Sequence, residues 1–262
     1  MNIKKVISPI LRNPIISPIR QWLLREAAFR EERQQPDFQK RSTFYASFLS
    51  KNDLCFDVGA NLGNRVGPLL ALGAKVVAIE PQASCYKVLR TKYGRKIKLV
   101  TKGLGAEGGT QNFYISDAHT ISSFSKEFVD TMKEGRFKNY TWQEPVKVEV
   151  TTLDALIQKY GVPSFIKIDV EGYELEVLKG LSSPVNMISF EYTVPEQTNK
   201  VIDCIQQIEK NGAKIECNYS IGESMDFTLA QWLPSQKMKN YVLDSDFINT
   251  EFGDVYCRVI PS

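Results

Sequence analysis

Leu54-Cys55-Phe56-Asp57-Val58-Gly59-Ala60-Asn61-Leu62-Gly63-Asn64 has the pattern of a buried strand that ends at a tight turn. A short apolar run ends on a carboxylate and then turns through glycine, which is expected there because a Cβ would block close approach of the backbone to a ligand. Phe165-Ile166-Lys167-Ile168-Asp169-Val170-Glu171-Gly172 repeats that design more than a hundred residues later. Buried parallel strands stop in this way at the carboxyl edge of an open α/β sheet, where small molecules bind in the crevice. Two such edges point to a bound small molecule and to the place where it reacts.

Around the first edge the pattern alternates strand and helix. Leu54 to Val58 is a strand, and a helix after Gly63 reaches Gly73. Lys75 to Glu80 is a second strand, Gln82 to Tyr93 a helix, and Ile97 to Val100 a third strand. This is the β-α-β-α-β order of a parallel sheet with crossover helices. Gln111 to Ile115 and Val146 to Val150 alternate apolar and polar residues instead, which suits one-sided antiparallel strands. The aromatic residues Phe124, Phe128, Phe137, Tyr140 and Trp142 lie between them, in an insertion at about 106–150 beside the main sheet. Thr152 then caps a helix to Tyr160, and strands follow at Ser164 to Asp169 and Asn186 to Glu191. A helix from Pro195 to Asn211 and strands at Lys214 to Asn218 and Asp254 to Val259 close the domain, 51–262.

Residues 1–50 form a basic arm. They hold nine Lys/Arg against four acids, while the remaining chain has 24 basic and 26 acidic residues. A near-neutral body excludes nucleic-acid binding as the main activity, because phosphates need clustered cations on one face. Within the arm, Ser17-Pro18 starts a helix whose stripe is Ile19, Trp22, Leu23, Ala27 and Phe29. Such a stripe packs on the body or lies on a membrane surface as a peripheral contact; packing is the commoner use. A second short helix is expected from Thr43 to Leu49. Five widely spaced cysteines without a C-x-x-C pair, beside a single His119, argue against a disulfide framework or a zinc site and favour the cytoplasm. No apolar run approaches the roughly 20 residues of a membrane span.

The first edge is not a dinucleotide fingerprint. Its G-x-G-x-x-G positions are Gly59, Asn61 and Asn64, so two glycines fail. Asp57 beside the turn suits a cationic ligand rather than a pyrophosphate. Glu80 ends the next strand about 20 residues onward, where an acid accepts both hydroxyls of a ribose. A ligand with a ribose, a positive centre and no phosphate is S-adenosyl-L-methionine. At the second edge Asp169 should face the same crevice, with Lys167 on the same strand face as its partner. Asp169 and Glu171 are the candidates for base or acceptor anchor, and Glu191 for the acceptor side. His119, in the insertion, is either a surface residue or a general base suited to neutral pH. Ser122 and Ser123 either bind a polyol or cap the following helix. A non-catalytic binding protein on the same fold is the alternative from another class, and a hard cation on Asp169, Glu171 and Glu191 the alternative mechanism.

Phe56-Asp57-Val58-Gly59-Ala60-Asn61-Leu62-Gly63, Ile79-Glu80-Pro81, Thr151-Thr152-Leu153-Asp154 and Ile166-Lys167-Ile168-Asp169-Val170-Glu171-Gly172-Tyr173-Glu174 resemble the FkbM family of methyltransferases, over about Phe48 to Val194. The resemblance implies a class I, Rossmann-like, doubly wound seven-stranded sheet and O-methylation of a hydroxyl on a sugar, glycan or natural product. It implies that Asp57, Gly59, Asn61 and Gly63 hold the methionine end of the cofactor and Glu80 the ribose, with Ala60, Asn64 and Pro81 also among the cofactor-binding residues. No acid follows the third strand in Thr101-Lys102-Gly103-Leu104-Gly105, so adenine would rest on apolar contacts around Leu104.

Overall fold

The computed structural model describes Leu23, Arg25, Glu26, residues 29–212 and residues 214–260. Most of the predicted arm helix, including Ile19, Trp22 and Ala27, lies outside the described residues. Its described end packs on the body, since the Phe29 ring meets Phe38 and Tyr93 edge-on. Glu26 and Glu32 pair with Lys96 and Lys92. Helix α1 (Pro36–Ala46) starts earlier than its apolar periodicity suggested, because Pro36 presets the backbone of the first turn. Phe38, Phe44 and Tyr45 bury its inner face.

The main sheet contains β1 (Leu54–Val58), β2 (Lys75–Ile79), β3 (Ile97–Val100), β7 (Phe165–Ile168), β8 (Met187–Thr193), β9 (Ile215–Ile221), β10 (Leu233–Pro234) and β11 (Phe252–Val259). Their order is β10-β9-β11-β8-β7-β1-β2-β3. Strands β3, β2, β1, β7 and β8 run parallel, and β11 enters antiparallel between β8 and β9. Seven of the eight strands were expected; the two-residue β10 adds an edge. The order reverses between β1 and β7, and the two sequence edges therefore sit side by side, with Asp57 opposite Lys167 in register. Helices α2 (Val66–Ala71), α3 (Ala83–Tyr93), α5 (Leu153–Tyr160), α6 (Glu174–Lys179) and α7 (Thr198–Glu209) flank the sheet. Thr152 caps α5 as expected, accepting from the Ala155 amide.

The insertion builds its own three-stranded sheet, β4 (Gly103–Leu104) beside β6 (Val146–Thr151) beside β5 (Gly109–Phe113), and helix α4 (Lys126–Glu134). β5 and β6 pair antiparallel, as their alternation predicted. Between β9 and β11 the chain forms β10, α8 (Ser235–Tyr241) and α9 (Ser245–Ile248), short elements without a sequence periodicity to mark them. Among the described residues no helix is long and apolar enough to cross a membrane.

Candidate active site

The glycine turn is built from close packing. A Cβ on Gly59 (φ +80°) would stand 1.8 Å from the Asp169 carbonyl oxygen, so glycine is required by the neighbouring strand end rather than by a ligand. That corrects the reason expected from the sequence. Gly63 (φ +90°) turns beneath Tyr93, whose hydroxyl donates to the Gly63 carbonyl at 3.0 Å. Asn61, also left-handed at φ +47°, presents its amide to Glu80 Oε2 at 2.8 Å, and the Gln82 amide reaches Glu80 Oε1 at 2.7 Å. Two backbone donors thereby fix the Glu80 carboxylate at the end of β2.

These residues open on a crevice of about 200 Å³. Asp57, Gly59, Ala60, Asn61 and Asn64 line it, as do Glu80, Pro81 and Leu104. Gly63 does not; it shapes the turn from beneath. The predicted catalytic positions Asp169, Glu171 and His119 line the same crevice, and Glu191 joins them. One end is apolar, walled by Ile79, Gly103, Leu104, Phe113 and Phe124. Phe113 and Phe124 stack at 4.6 Å, and the Phe124 ring occupies the space that a Gly103 side chain would need. This end suits a flat aromatic base, in line with the Leu104 expectation, with two aromatic rings that the sequence left unassigned.

The other end is charged. Lys167 is 2% exposed and donates to Asp169 Oδ2 at 2.7 Å, with Asp254 at 3.5 Å behind it. Burial pushes the Asp169 carboxyl up, but the Lys167 charge and hydrogen bond, helped by Arg65, outweigh it and hold the group below the usual range. Burial and the neighbouring Asp169 charge lift Glu171 and Glu191 well above theirs. Asp169 thus favours its charged form beside the Lys167 ammonium, while Glu171 and Glu191 are pushed toward the protonated form. The Asp169 side chain stays 32% exposed, open to the crevice. Glu171 takes a left-handed φ of +55°, and its carbonyl accepts from Ser123 Oγ at 2.6 Å, tying the insertion to the reacting edge. Ser122 accepts from the Ser116 amide, and Ser125, rather than either predicted serine, caps α4. His119 is exposed at the rim, and its carbonyl accepts from Asn61 Nδ2 at 3.3 Å. Carboxylate oxygens of Asp169, Glu171 and Glu191 lie within 4.8 Å of one another, a spacing that a hard cation could use. The Lys167 ammonium already supplies the counter-charge there.

Near the cofactor turn, burial raises Asp57 to about 6 and Glu80 to about 7. Asp57 Oδ2 is buried without a hydrogen-bond partner among the described residues. An unpaired buried carboxylate oxygen is costly, and a cationic ligand group beside it would remove that cost. The residues therefore fit a cofactor that carries positive charge, a ribose and a base.

The sequence matches the Methyltransferase FkbM domain over residues 57–221. The chain belongs to this family. The FkbM match begins at Asp57 and takes in both strand ends, the insertion and Glu191, and it implies S-adenosyl-L-methionine as the cofactor. Among curated proteins the chain is similar to the hexuronic acid methyltransferase AglP of Haloferax volcanii, 28% identical over 145 residues. That alignment covers 53% of this chain and 54% of AglP, so the chain spans about half the length of the curated relative it matches. Among solved structures it is similar to a TehB-like methyltransferase from Corynebacterium glutamicum (TM-score 0.44, 9% identity, 93% of this chain and 100% of that one). It is likewise similar to an O-methyltransferase from Thermotoga maritima (TM-score 0.40, 12% identity, 84% and 65%). The fold assignment rests on the strand order itself.

Sequence reading missed Arg65, Glu223 and Asp254. A buried acid in the apolar strand Phe252–Val259 should have been paired with Lys167 by the same reasoning that paired Lys167 with Asp169. Glu223 lies in a loop and carries no such signal.

Proposed function

We propose that this FkbM protein methylates a hydroxyl oxygen of a sugar or glycan, with Asp169 receiving the hydroxyl proton. The observation that carries this reading is the ionised, Lys167-paired Asp169 facing the same crevice as the Asp57 and Glu80 strand ends. The likeness to a hexuronic acid methyltransferase supports a sugar as acceptor. Bound S-adenosyl-L-methionine supplies the methyl group as an electrophile. Asp57 would lie beside its positive charge, Glu80 would accept the ribose hydroxyls, and Leu104, Phe113 and Phe124 would enclose the base. On the acceptor side, Asp169 orients the hydroxyl and takes its proton as the oxygen gains the methyl group. Lys167 holds Asp169 in place and in its charged form, and Glu191 and Glu171 present their carboxyl groups to the remaining hydroxyls. Positioning two reactants in one crevice contributes about 7–11 kcal/mol to such a transfer, and a general base roughly 10²–10⁴-fold.

A reducing compartment suits the five cysteines, all free and buried. The basic arm offers a peripheral contact to an anionic membrane surface, and no nucleic acid is required. Titrating the protein with S-adenosyl-L-methionine and S-adenosylhomocysteine tests the reading. Saturable binding of both supports it, and absence of binding to either leaves only a non-catalytic protein on the same fold.

A further inference from the structure

Arg65 is a second buried cation in the crevice, and beyond its charge acting on Asp169 the function proposed above gives it no contact with the acceptor. It follows the glycine turn, its side chain is 9% exposed, and it lines the crevice with Lys167. Its Nη2 donates to Glu223 Oε1 at 2.9 Å, while Nη1 stands 2.7 Å from Glu223 Oε2 and donates to Met225 Sδ at 3.8 Å. A guanidinium is suited to pairing with a planar carboxylate at such distances.

The partner does not look like a permanent one. A structural counter-ion for a buried arginine is normally buried with it, since breaking such a pair strands a charge. Asp254 is buried and pairs with Arg65 at 3.9 Å, but it is shared with Lys167, which is closer at 3.5 Å. Glu223 is close, yet its side chain is 57% exposed and sits on the loop after β9. That loop is held independently of Glu223: Gly222 and Met225 take left-handed φ of +50° each, and Met225 is 2% exposed in the core beneath. The Glu223 side chain can therefore swing outward while its loop stays seated. Arg41 Nη2 also approaches Glu223 Oε2, at 3.3 Å, and Arg41 Nε is buried without an acceptor among the described residues. Two guanidiniums converge where the loop supplies one exposed carboxylate.

We propose that Arg65 is the anchor for a carboxylate carried by the acceptor, and that Glu223 occupies that place until the acceptor arrives. The inference rests on the methyltransferase reading and names its acceptor class, a uronate-type sugar held by its carboxylate while a hydroxyl meets Asp169. No covalent step involves Arg65 or Glu223. They decide which sugar stays.

The test compares methyl glucuronoside with methyl glucoside as binding probes, by calorimetric titration with and without S-adenosylhomocysteine. Removing the competitor in Glu223→Ala should tighten glucuronoside binding about tenfold, equivalent to about 1.4 kcal/mol, and leave the glucoside unchanged. Adding Arg65→Gln to that variant removes the anchor without stranding the old partner, and should abolish the gain. No gain for the glucuronoside, or an equal gain for the glucoside, would overturn the anchor. A gain seen only with glucose 6-phosphate would overturn the carboxylate assignment. Failure of S-adenosylhomocysteine to bind would strike the methyltransferase reading, while the glucuronoside comparison without it still decides the anchor.

Discussion

Cofactor affinity should fall in mild acid, and the two strand-end carboxylates set the size of the fall. Burial places Glu80 at about 7 and Asp57 at about 6. Both must be ionised, Glu80 to accept ribose hydroxyls and Asp57 to face a cation. Between about pH 8 and about pH 6 the ionised share of Glu80 drops from about nine-tenths to about one-tenth, a roughly tenfold loss in affinity. Asp57 adds roughly twofold over the same range, for about twentyfold in total. Glu80→Gln should bind more weakly at pH 8 and keep only the twofold slope. Calorimetric titration with S-adenosyl-L-methionine at four pH values measures this directly. Stability of the ligand-free protein must run the other way. Both groups have folded-state values raised above their unfolded ones, so their contribution is full in acid and is lost as pH rises through about 6 to 7. Affinity independent of pH in this window, or parallel trends in affinity and ligand-free stability, would refute the assignment of Asp57 and Glu80.

Gly59→Ala places a methyl group 1.8 Å from the Asp169 carbonyl oxygen at a left-handed φ. It should cost more than about 2 kcal/mol in urea unfolding, because both backbone strain and a clash with main chain are involved. Lys167→Met strands Asp169 and Asp254, and should cost about 3–5 kcal/mol. Adding Asp254→Asn should recover part of that loss, whereas an undiminished cost in the double variant would show that the pair is not coupled.

The parallel half of the sheet was legible because its strands are short apolar runs, β1 and β7 closed by a carboxylate and a glycine turn and β2 by Glu80, with helices joining β1 to β2 and β2 to β3. Asp57, Glu80 and Asp169 came with it, since they mark where those strands stop. The region from Gly222 to Glu251 was not legible. Its two short helices and two-residue strand fold by packing Met238, Val242 and Phe247 into the core, which leaves no local periodicity. The acceptor side suffered most from this. Arg65 looked like an ordinary helix-start arginine, and its partner Glu223 is 158 residues away in sequence. The Gly59 requirement was anticipated for the wrong reason. A turn that must clear a ligand and a turn that must clear the next strand look alike until the strand order is known.

In the proposed function the β1 and β2 ends hold the cofactor while the β7 end carries out the transfer. Methyl transfer by Asp169→Asn, at saturating labelled cofactor with a glycan extract of the source as acceptor, decides between these roles. The expected fall is roughly 10²–10⁴-fold with cofactor binding essentially unchanged. Transfer within about threefold of the unmodified protein, well short of the loss expected for a general base, would contradict it.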